Sequence, residues 1–269
     1  GALDLASGDG EAVLHAAADD LAAFGPATGF PLAGSAEFAI EASSNGGNRL
    51  ATFSLETDGL QTGLGPLDAV LGPAPTLRGR VSADTSGRLV RLDETVLAGE
   101  NLRFGAAGTL TDDALQATYE ARIADLAPVA AAADLSAEGA LTVDGTLSGN
   151  PSDPSIRANA VLENGRIATF AVSPAQLVIG ADRLASAAQG TLEVSAAVDG
   201  DPLRARIPFS IADNGAIELG PLDASAPGAT AAGTLRLEAG GGPARGQIVV
   251  NTGAGGEAAG LANFTLAGE

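Results

Sequence analysis

Residues 114–123, ALQATYEARI, alternate apolar and polar side chains with a period of two. Leu115, Ala117, Tyr119, Ala121 and Ile123 point one way, and Gln116, Thr118, Glu120 and Arg122 the other. Such alternation marks a β-strand that is dry on one face and wet on the other. The pattern recurs outward along the chain. Leu141, Val143, Gly145 and Leu147 alternate with Thr142, Asp144 and Thr146; Leu192, Val194, Ala196 and Val198 with Thr191, Glu193 and Ser195; and Leu203, Ala205, Ile207, Phe209 and Ile211 with Arg204, Arg206, Pro208 and Ser210. Weaker versions fall at Phe38 and Ile40, Leu77–Ala83, Leu235–Ala239 and Ile248–Val250.

Turn chemistry punctuates these strands. SSNGGN (43–48), DTSGR (84–88), ENGR (163–166), VDGDP (198–202) and ADNGA (212–216) all read as hairpin turns. Helix signals are short: ADDLAAFG (18–25), GPLDAVLG (65–72) and DLAPVAAAADL (125–135). None is long enough to carry a crossover between parallel strands, so the sheet is expected to be antiparallel.

Composition sets the chemistry available. The 269 residues include 8 Phe, 1 Tyr and no Trp, which argues for a thin or repetitive core rather than a thick one. Fourteen basic residues, all Arg, face 33 acidic ones, for a net charge of −19. This balance repels nucleic-acid phosphates and anionic membrane surfaces. The absence of Cys removes disulfides and thiolate chemistry. With no Met, even at position 1, the chain reads as a processed product or an excised piece. Asp4, Asp9, Glu11, Asp19 and Asp20 exclude a signal peptide from the first 20 residues, and no stretch is apolar for long enough to form a membrane-spanning helix.

Two internal echoes suggest repetition. Asp20-Leu21-Ala22 precedes Gly34 at the spacing with which Asp125-Leu126-Ala127 precedes Gly139, and AAGTL occurs at 106–110 and again at 231–235. Residues 1–269 therefore read as a single elongated β unit, with degenerate repeats at about 20–124 and 125–245 and a Gly-rich end at 246–269.

Catalytic and metal-binding patterns are weak. His15 is the sole histidine and shares a strand face with Glu11 and Val13. HExxH, GxSxG and Walker A motifs are absent. Gly253-x-Gly255-x-x-Ala258 is a loosened dinucleotide fingerprint without a βαβ setting. Asp19-Asp20 and Asp112-Asp113 lack the ligand spacing of a calcium loop and suit caps and turns better. Asn263-Phe264-Thr265 is a glycosylation sequon by letter only. The chain is read as non-enzymatic, with no catalytic residue, cofactor or metal site.

GALTVDGTLSGNPSDPSIRANAVLENGRIA (139–168) resembles the repeating signature of TamB proteins, with Gly139, a strand to Leu147, Gly149, Asp153-Pro154 and a further strand to Leu162. TGLGPLDAVLGPAPTLRGRV (62–81) resembles another of their elements, a short Leu-Asp-x-x-Leu helix before a Leu-x-Gly strand. TamB is the periplasmic subunit of the bacterial translocation and assembly module and is similar to AsmA-like bridge proteins.

The resemblance implies an all-β fold: an elongated, mainly antiparallel β-taco or groove with an apolar interior and one or two short helical turns per repeat. It further implies a periplasmic bridge anchored in the bacterial inner membrane. Its partners would be an outer-membrane β-barrel of the TamA type, phospholipid acyl chains and nascent outer-membrane proteins. Such a bridge supports phospholipid transport between the membranes and outer-membrane protein and autotransporter assembly. On this reading the groove lining is Leu115, Ala117, Tyr119 and Ile123; Leu141, Val143 and Leu147; Leu192, Val194 and Val198; and Leu203, Ala205, Ile207, Phe209 and Ile211.

Alternation alone is equally what a closed β-sandwich requires, its dry faces meeting each other. Taken without the resemblance, the pattern favours a sandwich or solenoid over an open groove. A secreted β-solenoid or adhesin stalk is the principal alternative. A carbohydrate-binding sandwich is the third reading, disfavoured by the scarcity of aromatic residues.

Overall fold

The computed structural model describes residues 3–4, 9–212, 214–238, 244–252 and 260–266. The chain divides into two units, Gly1–Pro151 and Ser152–Glu269. In the first unit the order is β1 (Leu3–Asp4), β2 (Asp9–Ala18), a 3-10 turn (Leu21–Phe24), α1 (Gly25–Thr28), β3 (Ala33–Asn45), β4 (Asn48–Gln61), α2 (Gly65–Leu71), β5 (Thr76–Ala83), β6 (Val90–Ala98), β7 (Leu102–Leu110), β8 (Leu115–Ile123), α3 (Ala127–Ala131) and β9 (Ala137–Asn150). The second unit comprises β10 (Asp153–Ile167), β11 (Phe170–Asp182), β12 (Gln189–Val198), β13 (Asp201–Ile211), β14 (Ile217–Ala226), β15 (Ala229–Leu237), β16 (Ala244–Thr252) and β17 (Gly260–Leu266). Within each unit every strand pairs antiparallel with the next in sequence. The fold is all-β and antiparallel, and the helices are short insertions.

The three α-helices among the described residues lie at one end of the first sheet, because each follows a strand that runs in the same direction. The β2–β3, β4–β5 and β8–β9 connections carry them. Each begins with Pro in its first turn, where the missing N–H costs nothing. Asp68 anchors α2 by accepting the Thr62 amide and hydroxyl, both at 2.7 Å, and the Gly63 amide at 3.2 Å. The β6–β7 turn joins this end through Glu100, whose amide donates to the Leu71 carbonyl at 2.9 Å. The opposite end is made of tight turns at 46–47, 84–89 and 111–114.

The Asp20/Asp125 echo is also a local structural match. Asp20 accepts the Ala22 amide at 2.8 Å, and Asp125 accepts the Ala127 amide at 2.9 Å. Gly34 and Gly139 then take positive φ of 99° and 119°. A Cβ on Gly34 would lie 2.5 Å from the Gly59 carbonyl oxygen, so glycine is required there on steric grounds as well. Both copies lie in the first unit.

One turn expectation needs correction. ENGR (163–166) is not a hairpin turn: it lies inside β10, and the chain reverses at Ala168-Thr169, with Ile167 opposite Phe170. Asn164 takes a φ of 50°, a conformation Asn tolerates, and the strand continues past it. The fingerprint-like residues 253–258 lie outside the described residues, as do 253–259 and 267–269 of the Gly-rich end.

Candidate functional site: an apolar sheet face

Cross-strand register shows what the alternation builds. In the first unit, Ala16, Phe38, Leu55, Leu77, Leu97, Phe104, Ala121 and Val143 stand opposite one another in turn, an unbroken apolar row from β2 to β9. A second row runs Ala12, Ala42, Ala51, Val81, Leu92, Gly108, Ala117 and Leu147. In the second unit, Ala160, Leu177, Val194, Ala205, Ala224, Ala231 and Val250 form a row from β10 to β16. Beside it run Ile156, Ala181, Gly190, Phe209, Leu219, Leu235 and Gly246.

The sequence-derived lining falls on these faces. Leu115, Ala117, Tyr119 and Ile123 share the apolar face of β8, each half-buried between exposed polar residues. Opposite three of them on β9 stand Leu147, Gly145 and Leu141, with Val143 opposite Ala121. In the second unit Leu192 faces Ile207, Val194 faces Ala205, and Gly190 faces Phe209. Val198 stands opposite Val172, and Ile211 opposite Ile217. The residues of β8 and β9 belong to one unit and those of β12 and β13 to the other.

Several residues of the apolar face were not legible in the sequence because bulges break the period of two. Leu92 and Leu97 are an odd number of positions apart yet share the face. The extra residue is Glu94, at a φ of 39°. Val172 and Ala175 on β11, and Leu219 and Leu222 on β14, are brought onto one face in the same way. The readable trace is the partner strand: AAGTL stands opposite a bulge both times, with Gly108 across from Leu92 and Gly233 across from Leu222.

Aromatic rings reach over glycines. A Cβ on Gly79 would come within 2.5 Å of the Phe53 ring, and one on Gly190 within 2.8 Å of the Phe209 ring. This covers exposed backbone and smooths the face.

The face is not sealed. Among the described residues the only buried apolar side chains are Pro75, Ala130, Val172, Ala181, Ala188, Ala216 and Ala244, and no large side chain is fully buried. A closed sandwich would bury the Leu, Ile and Phe residues of its inner faces. Here substantial strand–strand contact within each unit is confined to sequence neighbours.

Polar groups on this face are few. Thr95 Oγ1 is buried at the β6 bulge without a hydrogen-bond partner. The Tyr119 hydroxyl is held above its ordinary pKa by burial and, secondarily, by the charge of Asp144. It therefore stays neutral at any physiological pH.

The charges lie on the other face. Arg78–Glu56 at 2.8 Å, Arg206–Glu193 at 3.7 Å and Arg236–Glu218 at 2.7 Å bridge neighbouring strands there. Being exposed, each contributes at most about 1 kcal/mol. His15 also lies on this face, exposed, near Glu37, Ser54 and Glu56. Asp20 serves as a cap, and Asp112 pairs with Arg88 at 3.0 Å. No group of three or more His, Asp or Glu residues among the described residues is placed to hold a metal ion. No described helix is long and apolar enough to cross a membrane.

No protein-family model, curated protein or solved structure matches the chain.

Proposed function

We propose that the chain is a section of a periplasmic bridge protein of the TamB type, whose apolar sheet faces carry phospholipid acyl chains between the inner and outer membranes. The observation that carries this reading is the unbroken apolar row from Ala16 to Val143, left unsealed by any second layer within its unit. Each methylene moved from water onto such a face gains about 0.8 kcal/mol, so an aliphatic surface can hold acyl chains without specific ligands. Small residues such as Ala117 and Ala205 leave room beside larger ones. The role needs no catalytic group. An outer-membrane β-barrel of the TamA type is the proposed partner, and outer-membrane protein assembly the proposed wider process.

The test places a carboxylate on the path. Ile207→Asp and Leu141→Asp should leave a folded protein that no longer co-purifies with phospholipid in native mass spectrometry and no longer supports outer-membrane integrity. Arg206→Asp, on the charged face, should behave as wild type. Folded Ile207→Asp protein with wild-type lipid content and function would refute the assignment. Reproducible absence of lipid from the wild-type protein would favour a stalk.

A further inference from the structure

A second surface, distinct from the apolar sheet face, occupies the helical end of the first unit. Phe24, Phe30, Leu64, Leu67 and Leu135 are 40–67% exposed there. Single exposed hydrophobes are ordinary, but these gather on adjoining segments. The Gly63 backbone abuts the Pro31 ring, so the Phe30-Pro31 segment adjoins Leu64. A Cβ on Gly65 would lie 3.5 Å from Ala132, which links the start of α2 to the end of α3 and Leu135. Among the described residues, the turns at the opposite end expose one large hydrophobe, Leu89, with Leu50 and Leu110 exposed on the flanking strands.

Charge around the patch is one-sided. The connections 19–32, 62–75, 99–101 and 124–136 contain Asp19, Asp20, Asp68, Glu100, Asp125 and Asp134, and no Arg or His. None of these carboxylates forms an ion pair among the described residues. Asp68, Glu100 and Asp125 line one recess of about 560 Å³ between α2, α3 and the β6–β7 turn.

We infer that this end of the first unit docks a cationic amphipathic segment of a partner polypeptide, apolar side chains on the Leu67–Leu135 patch and an Arg or Lys in the recess beside Glu100. Charge complementarity selects this occupant. The acidic rim repels an anionic membrane or nucleic acid, and it would leave carboxylates uncompensated under a purely apolar partner. The patch supplies the buried contact area and the recess the register.

Fluorescence anisotropy with a labelled Leu/Ala/Arg amphipathic peptide, and with its Glu-for-Arg counterpart, tests the assignment on the whole chain. The Arg peptide should bind saturably at physiological salt, and the Glu peptide should not. Leu67→Gln with Leu135→Gln, and separately Glu100→Gln, should each weaken binding by about tenfold, whereas Leu89→Gln should not change it. All of these positions are surface sites, and circular dichroism checks that the variants fold. Absence of saturable binding overturns the inference. So does equal binding to wild type and both site variants, which would reflect diffuse attraction to an acidic chain. Binding of the Glu peptide, or association with phosphatidylcholine vesicles in place of the Arg peptide, overturns it as well.

Discussion

Leu64–Ala69 and Leu219–Ala224 are the same six residues, Leu-Gly-Pro-Leu-Asp-Ala. The first stretch leads into α2, whereas the second is the bulged middle of β14. The difference lies in what flanks them. Upstream of α2, Thr62 and Gly63 offer amides that Asp68 accepts, and downstream Val70 and Leu71 continue the helix until Gly72 ends it at a φ of 69°. The β4–β5 ladder stops at Glu56 opposite Thr76, so this stretch has no strand to pair with. In β14, by contrast, Ile217 and Glu218 pair with β13 on one side and β15 on the other, as do Asp223 and Ala224 beyond the bulge. Two ladders satisfy the backbone there and override whatever helical preference the six residues carry.

Equivalent substitutions in the two copies should therefore behave differently. The largest contrast is expected at the glycines. Gly220 has a φ of 116°, and a Cβ on it would lie 2.6 Å from the Gly233 carbonyl oxygen. Gly220→Ala should cost about 2–4 kcal/mol. Gly65 has ordinary van der Waals room beside Ala132, so Gly65→Ala should stay within about 1 kcal/mol, the remaining cost reflecting its position before Pro66. Urea denaturation of the two variants reads the contrast; equal losses would mean that the bulge does not dictate Gly220.

A smaller contrast is expected at the leucines. Leu222 is half-buried on the apolar face opposite Gly233, and Leu222→Asp should cost about 1–2 kcal/mol, limited because water reaches an open face. Leu67 is 40% exposed in the first turn of α2. There the helix dipole favours an acid, so Leu67→Asp should fall within about 0.5 kcal/mol of wild type. Thermal melting distinguishes these outcomes, and a Leu67→Asp loss as large as that of Leu222→Asp would break the comparison.

The smallest contrast concerns the aspartates. Asp68→Asn should loosen the Thr62–Gly63 loop by no more than about 1 kcal/mol, whereas Asp223→Asn, on an exposed side chain, should have almost no effect. Burial pushes the Asp68 carboxyl up, but the Thr62 hydroxyl and the Thr62 and Gly63 amides outweigh it and hold the pKa below the usual Asp value. This stabilisation is complete above the unfolded-state pKa of about 4 and is lost as pH falls through the lower folded value. Amide exchange at Thr62 and Gly63 should therefore be faster in Asp68→Asn than in pH-matched wild type at neutral pH, but not in strong acid.

The same contrast explains which parts of the architecture can be read from the residues. β8, β12 and β13 are legible because uninterrupted alternation needs no knowledge of neighbours. The short helices are legible from Pro and Gly boundaries, such as Pro66 and Gly72 around α2. β14 is not, because Gly220-Pro221 carries a breaker signal that only the adjoining ladders overrule. Asn164-Gly165 misleads in the opposite direction: turn chemistry is spent on a bend within β10. The apolar face of β6 is hidden by Glu94, whose insertion moves Leu97 onto the face of Leu92. Alternation reports the face of a strand but not the strand opposite it, so the rows themselves emerge only from register.

Within each unit the described strands pair with their sequence neighbours, and this has a kinetic consequence. Each ladder closes either a tight turn or a connection no longer than that from Ala18 to Ala33 or from Gln61 to Thr76. Loop-closure entropy depends on the length of the segment being closed and not on the length of the whole chain. A sheet of this type can therefore be extended hairpin by hairpin with the ordering cost of each addition unchanged. Its folding rate should follow the slowest single hairpin rather than the number of strands.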